Sequence, residues 1–136
     1  RVNARLEKSD VSSVGQDIST LLSCIGRSAQ SFGSVDVKDA FYNVVVSPSS
    51  RRYLITRFGD RYVRWKRAAQ GLAISPAFWH AWICALLRRS SIDLRNVLIY
   101  VDDILVYGKS ASEVNEKIQE LLAFFKSCEV SVSNDK

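Results

Sequence analysis

Tyr100-Val101-Asp102-Asp103 lies between two apolar runs, Val97 to Ile99 and Ile104 to Val106, and its reading decides the fold. The flanks are β-branched or aliphatic, as a strand buried on both faces requires, and Asp suits the tight turn that joins two such strands. The expectation is a β-hairpin with carboxylates at its tip. Adjacent carboxylates repel, so they are satisfied either by solvation at a surface turn or by a hard cation that takes oxygen ligands. Taken alone, the four residues leave both open.

A third acid lies far upstream. Val35-Asp36-Val37 alternates as a strand does, with Asp36 its single charge, 66 residues before Asp102. Pairing the two strands side by side would bring three carboxylates together, and such a cluster asks for divalent cations. Side chains alternate faces along a strand, so Asp102 and Asp103 cannot serve equally. The one that points with Asp36 binds metal directly, and the sequence leaves open which.

The rest of the pattern is mixed. Residues 1–13 read as a connecting segment. Ile18, Leu21, Leu22 and Ile25 recur at helical spacing, with Gly26 or Ser28 as a stop. Ser31 to Ser34 reads as a small-residue linker, Lys38 to Asn43 as a turn, and Val44 to Val46 as a β-branched run. Tyr53 to Phe58 and Tyr62 to Trp65 form a hairpin about Gly59-Asp60. Gln70 to Ser75 is a loop in which Gly71 allows close approach of backbone to a ligand. Ser75 caps a helix with Pro76 in its first turn, running to about Arg89 and too apolar for a surface helix. His80 lies on it with no acid or cysteine at ligand spacing and reads as structural. Ala111 to Lys126 is amphipathic, and Val130 to Val132 alternates as a closing strand. The order predicts an α+β fold, an antiparallel sheet packed on helices.

Composition narrows the class. At 136 residues and 47% hydrophobic, one compact domain is expected. No apolar run approaches the roughly 20 residues that span a bilayer, and no basic-then-apolar leader opens the chain, so a soluble, non-secreted, intracellular protein is expected, with no membrane partner. Cys24, Cys84 and Cys128 are odd in number and far apart, which supports neither a disulfide framework nor a zinc site and predicts buried, reduced thiols. The net charge of +5 is carried by Arg27, Arg51-Arg52, Arg57 through Arg67 and Arg88-Arg89, a clustering that can present a positive face to a polyanion. The chain has no methionine and starts in mid-pattern, as expected of a segment cut from a longer protein.

Three stretches carry a resemblance. Val35-Asp36-Val37-Lys38-Asp39-Ala40-Phe41, Gln70-Gly71-Leu72-Ala73-Ile74-Ser75-Pro76-Ala77-Phe78 and Tyr100-Val101-Asp102-Asp103 resemble, in order and spacing, motifs A, B and C of reverse transcriptases. The likeness is to retroviral and Gypsy-type LTR-retrotransposon enzymes and covers nearly the whole chain, residues 1–33 as lead-in and 34–136 as motifs A to D. It implies a polymerase palm with part of the fingers, and an RNA-directed DNA polymerase that extends a primer on an RNA or DNA template with deoxynucleoside triphosphates and two Mg2+ ions, or Mn2+. By the same resemblance Asp36 and Asp102 are the metal-binding pair, Asp103 a less direct third acid, and the Val37 carbonyl a further metal ligand. Phe41 is the aromatic gate against a 2′-hydroxyl. Gln70, Gly71 and Ala40 contact the incoming nucleotide, Tyr100 packs near the primer terminus, and Lys136 protonates the departing pyrophosphate.

Two departures stand out. Ala68-Ala69 replaces the usual residue-proline pair ahead of motif B, and Ser127-Cys128-Glu129-Val130 lacks the glycine usual in motif D. They motivate a second reading, a non-catalytic, domesticated or decayed palm kept as a structural or nucleic-acid-binding module. An RNA-dependent RNA polymerase is disfavoured by Tyr-Val ahead of Asp-Asp and by Phe41. In the family the triphosphate-gripping cations lie upstream of Arg1, and the thumb and any RNase H domain lie beyond Lys136. The isolated chain is therefore expected to be inactive, and the parent to reside in the cytoplasm or a retroelement particle.

Overall fold

The computed structural model describes residues 2–5 and 18–133. In chain order the elements are α1 (Ile18–Ser23), β1 (Ser31–Asp36), β2 (Ile55–Phe58), β3 (Arg61–Arg64), α2 (Ser75–Leu87), β4 (Val97–Tyr100), β5 (Asp103–Gly108) and α3 (Ala111–Ser127), with short 3-10 turns at Val2–Arg5, Ala40–Asn43 and Arg51–Tyr53. All strand pairing is antiparallel, so the fold is mixed α and β as the sequence predicts. The chain divides into two compact units, one of residues 15–39 and 83–136 and the other of residues 1–14 and 40–82.

In the first unit the hydrophobic hairpin becomes the middle and edge of a three-stranded sheet, ordered β1-β5-β4. Val35, Ile104 and Val106 are buried, and α3 packs against β1 and β5 with Val114, Leu121 and Phe125 turned inward. These three recur at helical spacing, which is the signal that predicts this helix. Its start is held by side chains: the Ser110 hydroxyl, at the N-cap, accepts from the Glu113 N–H at 3.3 Å, and the Glu113 carboxylate accepts from the N–H of the preceding Lys109 at 2.8 Å. The Tyr107 hydroxyl reaches the carbonyls of Cys24 and Arg95 at 3.3 and 3.2 Å, tying the segment after α1 to the sheet.

Ser31 to Ser34 is not a linker. It is the first part of β1, paired with β5 from Ser31 opposite Gly108 to Asp36 opposite Asp103. Ser31, Gly33 and Ser34 carry little strand propensity and Phe32 alone favours a strand; the reason for the glycine is packing. A Cβ at Gly33 would meet Ile118 Cδ1 at 2.6 Å and Val114 Cγ1 at 3.1 Å, so α3 lies against bare backbone there. Val130 to Val132 likewise falls short of a strand: it makes one bridge, Val37 with Val132, supported by the Lys38 N–H on the Ser131 carbonyl at 3.0 Å.

In the second unit β2 and β3 form the hairpin expected about Gly59-Asp60. Gly59 has φ 60° at the first central position, where a two-residue turn of the II′ kind wants glycine. Val44 to Val46 does not form a strand of its own. Val45 bridges Arg67, the Val46 N–H donates to the Lys66 carbonyl and the Ala68 N–H to the Val44 carbonyl, both at 2.9 Å. Ser75 opens α2 but does not cap it. Its buried hydroxyl donates to the Ala69 carbonyl at 2.7 Å, fastening the preceding loop. Along α2, whose residues 75–82 belong to this unit and 83–87 to the other, Ser75, Trp79, Ile83 and Leu87 stand four apart and are all buried. The cysteines are not buried as the sequence predicts: Cys24 is exposed, Cys84 and Cys128 are half-buried, and burial raises the Cys84 thiol pKa.

Candidate active site

The hairpin expectation is met more tightly than its sequence requires. Tyr100 pairs with Asp103, so only Val101 and Asp102 form the turn. Val101 sits at φ 51°, a left-handed conformation that costs a β-branched residue of the order of 1–3 kcal/mol. Asn or Gly would hold such a turn without strain. The strain is maintained by the ladder on either side and sets the direction in which Asp102 leaves the backbone.

β1 brings Asp36 to this tip. Asp36 and Asp103 are directly opposite across the β1–β5 pair, and directly opposite residues share a face of the sheet. The Val37 N–H donates to the Asp102 carbonyl at 3.2 Å, and the Asp36 carbonyl accepts from the Ser133 N–H at 2.9 Å. The backbone at Asp36 is thus held from both sides, by the turn and by the segment after α3. Val37 is buried, Asp36 and Asp102 are half-buried, and Asp103 and Tyr100 are exposed.

One atom carries the electrostatics of this arrangement. Asp102 Oδ1 is buried and has no hydrogen-bond partner among the described residues. Burial, then the charge of Asp36, then that of Asp103 push the Asp102 carboxyl above the usual carboxylate range. A buried acceptor with no donor, facing two like charges, is an unfavourable arrangement that a cation relieves.

The donor set fits a hard cation. It consists of carboxylate oxygens with the Val37 carbonyl nearby in sequence, and it contains no thiolate or imidazole. Among the described residues no three His, Cys, Asp or Glu side chains gather closely enough to hold one ion, so the three-carboxylate cluster expected from the sequence is not assembled here.

Of the residues singled out from the sequence, Asp36, Val37, Tyr100, Asp102 and Asp103 belong to the unit built on the three-stranded sheet, and Ala40, Phe41, Gln70 and Gly71 to the other. Ala40 is buried and Phe41 half-buried in the 3-10 turn Ala40–Asn43, which the Asn43 side chain closes by donating to the Ala40 carbonyl at 3.2 Å. Asp39, at φ 53°, sets the entry to that turn. Gln70 is exposed, and Gly71 has φ 79° with open space where a Cβ would stand, so glycine is required there by backbone conformation. Lys136 lies outside the described residues.

Asn3 is the residue that sequence reasoning misses. Its side-chain amide donates to the Gly71 carbonyl at 2.8 Å and its oxygen accepts from the Ala73 N–H at 3.1 Å. One side chain thus pairs with both backbone edges of the Gln70 to Ser75 loop, in the manner of a strand neighbour. A single Asn in a polar segment, 68 residues from its partner, leaves no local signal.

Residues 7–136 match the family described as reverse transcriptase (RNA-dependent DNA polymerase). Protein P of Duck hepatitis B virus (strain United States/DHBV-16) is 29% identical over 106 residues, which is 76% of this chain and 12% of that protein. The genome polyprotein of Petunia vein clearing virus (isolate Shepherd) is 25% identical over 117 residues, 86% of this chain and 5% of the polyprotein. The chain therefore spans about an eighth or less of these relatives. In fold, the crystal structure of a mutant Prototype Foamy Virus protease-reverse transcriptase superposes with a TM-score of 0.78 over 97% of this chain and 17% of that one, at 23% identity. With the match running over almost its whole length, the chain belongs to the reverse transcriptase family.

Proposed function

We propose that this chain forms the catalytic turn and nucleotide-contacting loop of an RNA-directed DNA polymerase, which adds deoxynucleotides to a primer on an RNA or DNA template. The finer placement among retroviral and Gypsy-type LTR-retrotransposon enzymes belongs to the same proposal and rests on the wording of the three motifs. The observation that supports it best is Asp102 Oδ1, buried without a partner at the tip that also holds Asp36 and Asp103.

In this reading Asp36 and Asp102, with the Val37 carbonyl, hold divalent ions, although it is Asp103 that stands opposite Asp36 in the ladder. Asp102 lies in the turn, outside the strand alternation, and its carboxyl is raised more by Asp36 than by Asp103, which is exposed and adds negative charge. Divalent ions held by these residues would supply activation of the attacking primer hydroxyl and charge neutralisation at the departing pyrophosphate. The chain's own contribution is placement. The strained turn and the β1–β5 ladder fix the carboxylates before substrate arrives, so no reorganisation is needed during reaction. Phe41 lies against the sugar where a 2′-hydroxyl would stand, Gln70, Gly71 and Ala40 line the nucleotide, Tyr100 backs the primer terminus, and Lys136 delivers the proton to pyrophosphate.

Asp36→Asn and Asp102→Asn, made in the complete protein that carries this sequence, test the assignment. Each keeps the side-chain shape and removes one charge. Templated primer extension is expected to fall below about a thousandth of wild type, in line with the several kcal/mol such charge stabilisation contributes. Retention of more than about a tenth of the turnover would overturn it.

A further inference from the structure

We propose that the β2–β3 ribbon is a binding site for single-stranded nucleic acid, in addition to the polymerising site. The inference deepens the polymerase reading and rests on it only for the choice of nucleic acid as the polyanion. Every residue of both strands is exposed in this chain. Phe58 and Tyr62, at 79% and 74%, are the most exposed large hydrophobic side chains among the described residues.

Their neighbours say what they are exposed for. In the ribbon's register Phe58 is directly opposite Arg61 and Tyr62 directly opposite Arg57, so each aromatic ring shares a face with a guanidinium, one pair on each face of the ribbon. The pattern recurs just before the ribbon, where the Arg52 guanidinium lies 4.8 Å from the centre of the Tyr53 ring. Residues 51–67 hold seven Lys or Arg and a single acid, Asp60. Some of those cations are committed: Arg51 donates to the Val46 carbonyl, Arg67 to the Asn43 carbonyl, and Arg57 to the Gly59 carbonyl with Asp60 at 3.8 Å. Arg61 and Arg64 have no carboxylate partner among the described residues and extend from one exposed strand.

A protein partner would be met by an apolar centre depleted of charge, whereas here each exposed ring stands beside a cation. An unpaired nucleotide matches the pair, since its base has a flat face to stack on a ring and its phosphate a charge for the neighbouring arginine. Bases in a duplex are already stacked and offer no such face. The ribbon is itself braced, because the Trp65 indole N–H donates to the Thr56 hydroxyl at 2.8 Å and the Trp65 ring stacks on Tyr42. Changes at Phe58 and Tyr62 therefore leave its supports in place.

The test is fluorescence anisotropy of a short unstructured oligodeoxynucleotide and its RNA counterpart, titrated at low salt with the 136-residue chain, with a duplex of equal length as comparison. The double variant Phe58→Leu/Tyr62→Leu, which keeps apolar bulk and removes the rings, is expected to weaken single-strand binding at least tenfold and duplex binding little, given the stacking strength of one base on one ring. Arg61→Gln/Arg64→Gln is expected to lower the slope of log affinity against log salt by about 0.7 for each arginine. Unchanged single-strand affinity in the leucine variant, with an unaltered thermal melt, would overturn the inference and leave the polymerase reading standing. So would sedimentation showing that these variants abolish self-association while oligonucleotide affinity stays at the wild-type value. Loss of extension in Asp102→Asn tests the polymerase reading separately and is expected to leave oligonucleotide affinity unaltered.

Discussion

Asp36 and Asp103 face one another directly across the β1–β5 pair, so two carboxylates share one side of the sheet while a third, Asp102, closes the turn beside them. Like charges opposite one another weaken a ladder, and this one is held by the buried Val35, Ile104 and Val106 immediately behind the acids. The apolar part of the hairpin stabilises what its tip destabilises. Such a division is expected where geometry is kept for chemistry.

The first prediction is that Asp102→Asn stabilises the metal-free chain even as it abolishes the proposed activity. The wild-type carboxyl is shifted upward by burial and by Asp36 and Asp103, so the native state binds its proton more tightly than the unfolded state does. Asp102 therefore costs stability above its folded pKa, and the cost disappears as pH falls toward the unfolded value of about 4. Asp102 is only half-buried and its interactions are screened, which limits the gain at neutral pH to about 0.5 kcal/mol, roughly 2 °C in Tm. Thermal melts in chelator at neutral and mildly acidic pH check this. The variant should be the more stable at neutral pH, with the gap narrowing on acidification, and a gap that widens would contradict the sign.

Much of this site was legible in the chain because its parts signal locally. Aliphatic flanks around two acids mark the hairpin, and a lone acid in Val35-Asp36-Val37 marks the strand beside it. Packing and distant backbone contacts erase the signal elsewhere. Ser31 to Ser34 has only Phe32 to mark a strand, since its glycine answers to Ile118 on a helix 85 residues on. Val130 to Val132 alternates correctly yet makes one bridge, because alternation states a preference and a ladder needs a partner of equal length. The turn at Val101 runs against its own propensity, and the departure falls where the chemistry is proposed.

Phe41→Val is predicted to leave deoxynucleotide addition measurable and to raise ribonucleotide use. The smaller side chain vacates the volume a 2′-hydroxyl needs, and such steric discrimination amounts to a few kcal/mol, so the ratio of kcat/KM for the two substrates should move about tenfold or more. Phe41 is half-buried, which leaves part of the ring free for that contact. Single-nucleotide incorporation by the complete protein measures the ratio. An unmoved ratio would make the ring a packing element of its 3-10 turn.

Gly33→Ala is predicted to destabilise the fold by about 1–3 kcal/mol through overpacking. The backbone of β1 accepts alanine, so the effect comes from the methyl group meeting Ile118 Cδ1 at 2.6 Å and, less closely, Val114 Cγ1 at 3.1 Å. Ile118→Val deletes that very atom. In urea titrations the double variant Gly33→Ala/Ile118→Val should recover part of the loss, giving a coupling energy of about 0.5–1.5 kcal/mol. Strict additivity would mean that the strain is relieved by a shift of α3 rather than by this contact.

The last prediction concerns Asn3, whose amide pairs with the Gly71 carbonyl and the Ala73 N–H. If Gln70 and Gly71 contact the incoming nucleotide, the loop must be held in one conformation before binding, because any ordering left to the binding step subtracts from affinity. Gly71 has the freedom of glycine at φ 79°, and the alanines at 68 and 69 stand where proline would stiffen the approach. Asn3 therefore replaces backbone rigidity with two hydrogen bonds, each contributing about 1 kcal/mol. Asn3→Ala should raise KM for deoxynucleotide about tenfold while kcat changes less than about threefold, since the carboxylate turn is untouched. Asn3→Asp keeps the acceptor for Ala73 but sets an anion against the Gly71 carbonyl, and it should be at least as damaging as alanine. Steady-state incorporation by the complete protein, with Tm measured on the same preparations, separates the outcomes: a fallen Tm with an unchanged KM would show that Asn3 anchors the fold and does not order the loop for substrate.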